Sequence, residues 1–394
     1  MLLRFVTFLF LIFTLPSYAE MMTINSNVRA LGMGDAYLGL ADDSSSLFYN
    51  PAGLARVSGI NLKLFSIRVG ASGLEAYEKI QGLAGDGDDA FAEALSALYG
   101  EHVWSGVGAS TAFAMPMIGF TAYNHLDALI QVNNPVYPEI STSVINDYGY
   151  ILGFGVPILP VFHLGANFKY IKRSGARVPY GASFVADLDP DAIYDNITGW
   201  GKGYGVDLGA NFVIPAPFFS AVLSGVWKNM GGMSFRSEDP NARIASEKND
   251  MSVGVALSFD TPLLSIGPAI DFRYLNREDI QLMRKLNFGI EIGVPLIDIR
   301  GGFHEGYYTA GLGLNLGLFQ LDLATYGVEL GAYPGQIEDR RYVLEFKMEL
   351  GLGGFTATSL SGEKVAGVKG GDSAGGGSGG KKSFWGGRRL KQRR

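Results

Sequence analysis

The feature that most constrains this chain is a set of segments in which large apolar residues recur at every second position. Tyr148, Tyr150, Leu152, Phe154 and Val156 make one row, and Phe162, Leu164, Ala166, Phe168 and Tyr170 the next. Tyr204 to Ile214, Met251 to Phe259, Leu286 to Val294, Leu312 to Leu318 and Tyr342 to Leu352 repeat the pattern. A period of two puts each row on one face of an extended strand. The opposite positions are polar, charged or small, among them His163, Asn167, Lys169, Asp207, Asn211, Asp271, Glu291, Arg300, Asp322 and Glu345. Each run has roughly the length, ~10 residues, that a tilted strand needs to cross a bilayer.

The same alternation would suit a soluble sandwich, with the apolar rows turned inward. Three features favour a membrane barrel, with apolar rows facing lipid and polar rows lining a lumen. The chain opens with Met1-Leu2-Leu3-Arg4, an apolar run from Phe5 to Leu15, and Pro16-Ser17-Tyr18-Ala19. That is the pattern of a secretory signal peptide, cleaved after Ala19. The alternating segments number about fourteen, an even count that returns both ends to one side. Connections also alternate. Met115-Pro116, Ile158 to Pro160, Pro215 to Pro217, Thr261 to Leu263 and Pro295-Leu296 are tight. Asn133 to Asn146, Arg173 to Gly199, Gly231 to Lys248, Asn276 to Gln281 and Gly331 to Arg340 are longer and polar. The predicted fold is all-β: an antiparallel transmembrane barrel of about fourteen strands in an outer membrane, with both termini periplasmic.

Composition agrees. Hydrophobic residues are 47% of the chain, yet no long uninterrupted apolar run follows the leader. The 55 glycines among 394 residues are about twice the usual share. There is no cysteine, which excludes disulfides, thiolate metal sites and a lipid-modified N-terminus.

Before the first strand, Asn27 to Leu54 read NVRALGMGDAYLGLADDSSSLFYNPAGL. Gly32, Gly34 and Gly39 let the backbone turn or press against a neighbour. Asp42, Asp43 and Ser44 are N-cap residues for a short helix ending near Tyr49. Pro51 pushes Asn50 out of the helical region, so a tight turn is expected over Asn50-Pro51-Ala52-Gly53. Arg29 to Gly34, Ala41-Asp42-Asp43 and Asn50 to Leu54 resemble the N-terminal hatch of the FadL-type outer-membrane transporters of hydrophobic compounds. They are equally similar to the PorV-type barrels used in protein secretion. The resemblance implies a 14-stranded barrel plugged by this hatch, with Gly32, Gly34, Asp42, Asp43, Asn50, Pro51, Ala52 and Gly53 in the plug. It also implies a sideways opening in the wall at a strand kink.

Two strands look interrupted. Tyr123 to Asp127 breaks the alternation of its strand, which makes Asn124 and His125 one candidate for that opening. Pro268 would cost a ladder bond or mark a bulge. In the first long loop, Leu74, Tyr77 and Ile80, then Phe91, Leu95 and Leu98, fit two amphipathic helices that would form an apolar outer groove. The expected organisation is a signal peptide over 1–19, a hatch over 20–58, a barrel over 59–355 and a disordered tail over 356–394. From Ser361 onward nine Lys or Arg stand against Glu363 and Asp372, so the tail carries +7 and the rest −13 of the net −6. Such a tail suits an anionic periplasmic or secretion partner, or a lipid surface.

The four histidines lie far apart, and no zincin, nucleophile-elbow or phosphate-loop motif is present. No enzyme, cofactor, metal or nucleic-acid role is expected; catalytic groups scattered over several strands would escape such a reading. The expected function is passive uptake of hydrophobic small molecules, fatty acids or aromatics. The alternative is a PorV-like docking partner in secretion or surface attachment.

Overall fold

A computed structural model describes residues 27–73, 100, 102–133, 139–175, 177–180, 199–239, 244–261, 263–331, 333–353, 355–361 and 363–366. The leader, the outer-groove candidates Leu74, Tyr77, Ile80, Phe91, Leu95 and Leu98, and the basic end lie outside these residues.

The strands follow the sequence rows closely. They are β1 (Ile60–Ala71), β2 (His102–Met115), β3 (Ile118–Asn133), β4 (Glu139–Pro157) and β5 (Phe162–Ser174). Next come β6 (Arg177–Tyr180), β7 (Trp200–Pro215), β8 (Ser220–Lys228), β9 (Arg236–Ser237), β10 (Asp250–Asp260) and β11 (Ser265–Phe272). The last are β12 (Leu286–Gly293), β13 (Ile297–His304), β14 (Tyr307–Asn315), β15 (Phe319–Glu329) and β16 (Glu338–Leu352). The small β6 and β9 only edge β4 and β7. The other fourteen form one antiparallel sheet, in which β1 pairs with β16 and β3 with β4, so the sheet closes. Closure leaves no unpaired strand edge for lipid to meet.

The faces sort as the alternation requires. Leu152, Phe168, Phe212, Val255, Ile290 and Leu323 are exposed on the outside. Their neighbours Asn167, Asp207, Asn211, Asp271, Glu291 and Asp322 are buried inside. An apolar exterior around a polar interior is the membrane-barrel arrangement.

The two ends differ. Toward the long connections the outer face carries tyrosines in register, Tyr150–Tyr170 at 6.3 Å and Tyr170–Tyr204 at 5.3 Å. Trp200 stands 5.5 Å from Tyr148, with Lys172 Nζ 4.7 Å from its ring. Such a belt marks a headgroup level. Toward the short turns there are Leu159, Phe218, Leu263, Leu296 and Leu316 instead, all exposed. Nine strand residues at a tilt near 40° rise about 23 Å. The apolar band of ~25 Å therefore runs from the tyrosine belt down to the turn tips.

Three expectations are corrected. The ladder is unbroken through Asn124 and His125 on both sides of β3. Tyr123 and His125 are buried on the lumen face, so the apparent break is ordinary alternation with polar inward residues. Residues 139–146, read as loop, belong to β4, which is longer than a membrane crossing requires. The chain beyond 356 does not begin as structureless tail, because Thr358 and Lys364 pair in a small hairpin. Pro268 produces no bulge. The β10–β11 register is the same on either side of it, but the Cα pairing toward Leu257 and Ser258 is missing. One irregularity was not foreseen: β1 has a bulge at Leu64–Phe65 against both neighbours.

Candidate functional site

Residues 27–57 lie inside the barrel, nearly all of them buried. Local rules shape this inner segment. The Asn27 side chain accepts from Arg29 N and caps the helical turn Val28–Leu31. Asp43 accepts from Ser45 N at 2.7 Å and starts the 3₁₀ turn Ser44–Leu47. Asn50 is extended at φ −153° and accepts from Ala52 N, opening the 3₁₀ turn Pro51–Arg56 with Pro at its first position.

Lumen residues from opposite walls hold this segment. Arg29 makes a forked pair with Glu291 on β12, both bonds at 2.7 Å. Asp271 on β11 accepts from Tyr37 N and Leu38 N at 2.6 and 3.0 Å. Asp35 receives Tyr49 Oη at 2.5 Å and pairs with Arg273, the residue after β11. On the other wall, Asn167 Nδ2 donates to Leu47 O at 2.9 Å and Asn50 Nδ2 to Asn211 Oδ1 at 2.9 Å. Arg56 donates to Gly39 O at 2.8 Å.

Many wall glycines exist for this fit. A Cβ on Gly165 would stand 2.3 Å from Ala52 N, and one on Gly209 2.1 Å from Asn50 Oδ1. Asn50-Pro51-Ala52-Gly53 thus lies flat against β5 and β7. Gly34, at φ +63°, faces the carbonyls of Phe288 and Phe303 with no room for a side chain. Gly32 touches Gly311 in the same way. Asp42 and Asp43 are half-buried, and Asp43 caps the turn Ser44–Leu47.

A charged relay crosses the wall behind it. Arg300, fully buried on β13, bonds Glu291 at 2.7 Å and Asp322 at 2.6 Å, with Asp298 at 3.5 Å. Lys347 continues it to Asp322 at 3.0 Å. Charges of both signs alternate, so the interior is a set of ion pairs, not a one-sign ring for small ions.

At the long-loop end, residues 229–239 and 244–249 fold back into the lumen. Met233 is buried, and Phe235 and Ile244 pack on Gly201 and Gly203 of β7. Arg173 anchors them. It bonds both oxygens of Asp147 at 2.7 Å, Ala245 O at 3.0 Å and the Glu247 carboxylate, and lies 4.5 Å from the Phe235 ring. Burial pushes the Glu247 carboxyl up, but Arg173 and Lys169 outweigh this and hold it below its ordinary value. A depressed carboxyl contributes stability that is present above the unfolded pKa, ~4.3, and lost as pH falls through the lower folded value. The loop should therefore stay seated at neutral pH and loosen only in acid. Arg173→Ala should let a protease cut within 231–249 at least tenfold faster at pH 7. An unchanged rate would show that the arginine is not the anchor.

The inner segment leaves one side of the wall less filled. Between it and β1–β3 lies a cavity of about 50 Å³, room for a few waters or a small polar headgroup. Asn27, Ser45, Phe48, Lys63, Ser66 and Arg68 line it, with Asn124, His125 and Glu345 opposite. The buried Lys63 ammonium interacts electrostatically with the Glu345 carboxylate, and Ser45 Oγ has no hydrogen-bond partner among the described residues. Glu345 Oε1 accepts from Ser66 Oγ at 2.5 Å, while Oε2 accepts no hydrogen bond and lies 4.0 Å from Lys347 Nζ. The cavity lies directly behind the Leu64–Phe65 bulge, whose Lys63 carbonyl is satisfied by Thr111 Oγ1 at 2.9 Å. Sequence reasoning missed Lys63 because a lone lysine in a lumen row carries no signal of its own. It did single out Asn124 and His125, for the wrong reason: their strand is regular, but they border the cavity.

No protein-family model and no curated protein matches the chain. Solved structures do. The Ralstonia pickettii toluene transporter TbuX aligns over 83% of this chain and 98% of its own, at 10% identity and TM-score 0.46. The P. putida toluene transporter TodX aligns over 82% and 99%, at 10% identity and TM-score 0.42. A Pseudomonas aeruginosa FadL homologue aligns over 84% and 98%, at 10% identity and TM-score 0.30. At this distance the likeness concerns fold and carries no argument about cargo. This fourteen-stranded barrel is thus similar in fold to solved structures that include toluene transporters and a FadL homologue.

Proposed function

We propose that the protein is an outer-membrane channel for passive uptake of hydrophobic small molecules, and that its cargo is an amphiphile with an anionic head, such as a long-chain fatty acid. The observation that carries this reading is the cavity behind the β1 bulge. The inner segment and its ion pairs fill the lumen, so an apolar molecule gains nothing by following the axis. Behind the bulge, the buried Lys63 ammonium and the unpartnered Ser45 hydroxyl face a space the size of a carboxylate. The wall outside is lipid-facing, with Leu64 and Ile67 exposed. A head held at Lys63 would leave its tail free to pass into the membrane, where burial favours it by ~25 cal/mol per Å². No energy-coupling element is visible in the sequence, so flux runs downhill. The short turns, N-terminal entry and C-terminal tail then face the periplasm.

Proteoliposomes holding the chain should take up a long-chain fatty acid faster than empty vesicles. Lys63→Met should reduce that uptake about fivefold, ~1 kcal/mol for a lost charge-assisted bond, and leave toluene entry unchanged. Fatty-acid uptake equal to that of empty vesicles would overturn the reading. Equal loss for both cargoes would overturn the headgroup assignment.

A further inference from the structure

The chain beyond β16 crosses the short-turn end of the barrel. Gly59 N donates to Phe355 O at 2.8 Å, which ties the start of this segment to the point where the inner segment enters β1. Leu360 N then donates to Pro157 O at 3.0 Å, and Ala366 N to Pro160 O at 2.7 Å. Pro157 ends β4 and Pro160 lies in the β4–β5 turn. Between the two ties the segment folds on itself. Ser359 N donates to Glu363 O at 2.8 Å, and Ser359 Oγ accepts from Glu363 N at 3.2 Å.

Distances make this a crossing. Fourteen strands ~4.8 Å apart and tilted near 40° set a wall radius of about 14 Å. The β4–β5 turn is about a third of the way round from β16, a chord of about 24 Å on that radius. The seven residue steps from Gly353 to Leu360 can reach about 23 Å. Burial alternates along the way: Ala357, Ser359 and Val365 are buried, while Thr358, Leu360 and Lys364 are exposed. A strand lying on a surface buries every second side chain in this manner. The turn that receives it joins β4 and β5, and both strands pack against the Pro51–Arg56 turn of the inner segment.

We propose that the described residues among 353–366 form a strap across the short-turn mouth that retains Pro51–Arg56 in its seat. The inner segment is therefore closed in from the side on which it entered, and any opening toward that side begins with release of the strap from Pro157 and Pro160. The strap also fixes where the remaining basic chain begins, beside the β4–β5 turn.

The test uses the full chain in lipid vesicles and needs no cargo, so it stands apart from the uptake reading. Leu360→Pro with Ala366→Pro removes both amide donors. Hydrogen exchange at Gly53 and Val57, whose amides bond to Asn50 O and Leu54 O, should then speed at least tenfold while wall strands keep their protection. Equal exchange in parent and variant would overturn the proposal. Should the wall also lose protection, a second variant decides. The chain has no cysteine, so Pro160→Cys with Ala366→Cys allows one reversible disulfide. Slower exchange at Gly53 and Val57 in the oxidised than in the reduced form supports the strap, and equal exchange overturns it.

Discussion

Arg300→Met is expected to destabilise the barrel by about 3 kcal/mol, toward the lower end of the 3–5 kcal/mol typical of removing one member of a buried ion pair. The guanidinium is fully buried and serves Glu291, Asp322 and Asp298 at once. Its loss leaves three carboxylates in a dry wall. Arg29 still neutralises Glu291 and Lys347 still neutralises Asp322, which is why the larger figure is not expected. Arg300→Lys keeps the charge but not the fork, and should fall between parent and Met. Urea unfolding in lipid vesicles measures this. A Met variant within 0.5 kcal/mol of the parent, by the ordinary range for neutral surface changes, would show that the relay does not hold the wall.

Gly289→Val is expected to leave the barrel folded but raise its conductance in planar bilayers at least tenfold. A Cβ at Gly289 would stand 2.0 Å from Met33 O and 2.6 Å from Met33 C. The wall cannot yield, because β12 is paired on both sides through this residue. The inner segment must move instead. Met33 is fully buried, and its neighbour Gly34 has no clearance from Phe288 O and Phe303 O. Displacing them pulls on the Arg29–Glu291 fork four residues away. Gly225→Ala is the control, since a Cβ there meets nothing within 4 Å. Unchanged conductance in a correctly folded Gly289→Val barrel would mean that residues 27–57 do not block the lumen.

The rows of alternating residues were enough to read the strand count, the outward face and the short turns. Each is a local property: period two sorts a strand's faces whatever its partners are. Pro51 and the cap Asp43 were legible for the same reason, although the turn that Asp43 opens is 3₁₀ and not α. The candidate site was legible only at its borders. Asn124 and His125 drew notice as a break in pattern, yet they matter as one wall of a cavity. Lys63, Ser45 and Glu345, which face it from three separate segments, gave no local sign. The bulge at Leu64–Phe65 was hidden too, because two adjacent apolar residues inside a strand read simply as strand.

The strap shows the same limit from the other direction. Its glycine- and serine-containing sequence lacks the apolar content to fold alone, and composition placed it in the tail. It is ordered because the carbonyls of Pro157 and Pro160, about 24 Å away across a closed ring, accept its amides. What the amino-acid order determined by itself was the wall, since side-chain alternation and turn chemistry act between near neighbours. What only the tertiary structure decided was the interior. Which lysine faces the cavity, which glycines meet the inner segment and where the C-terminal chain docks depend on residues hundreds of positions apart, brought together only once the barrel has closed.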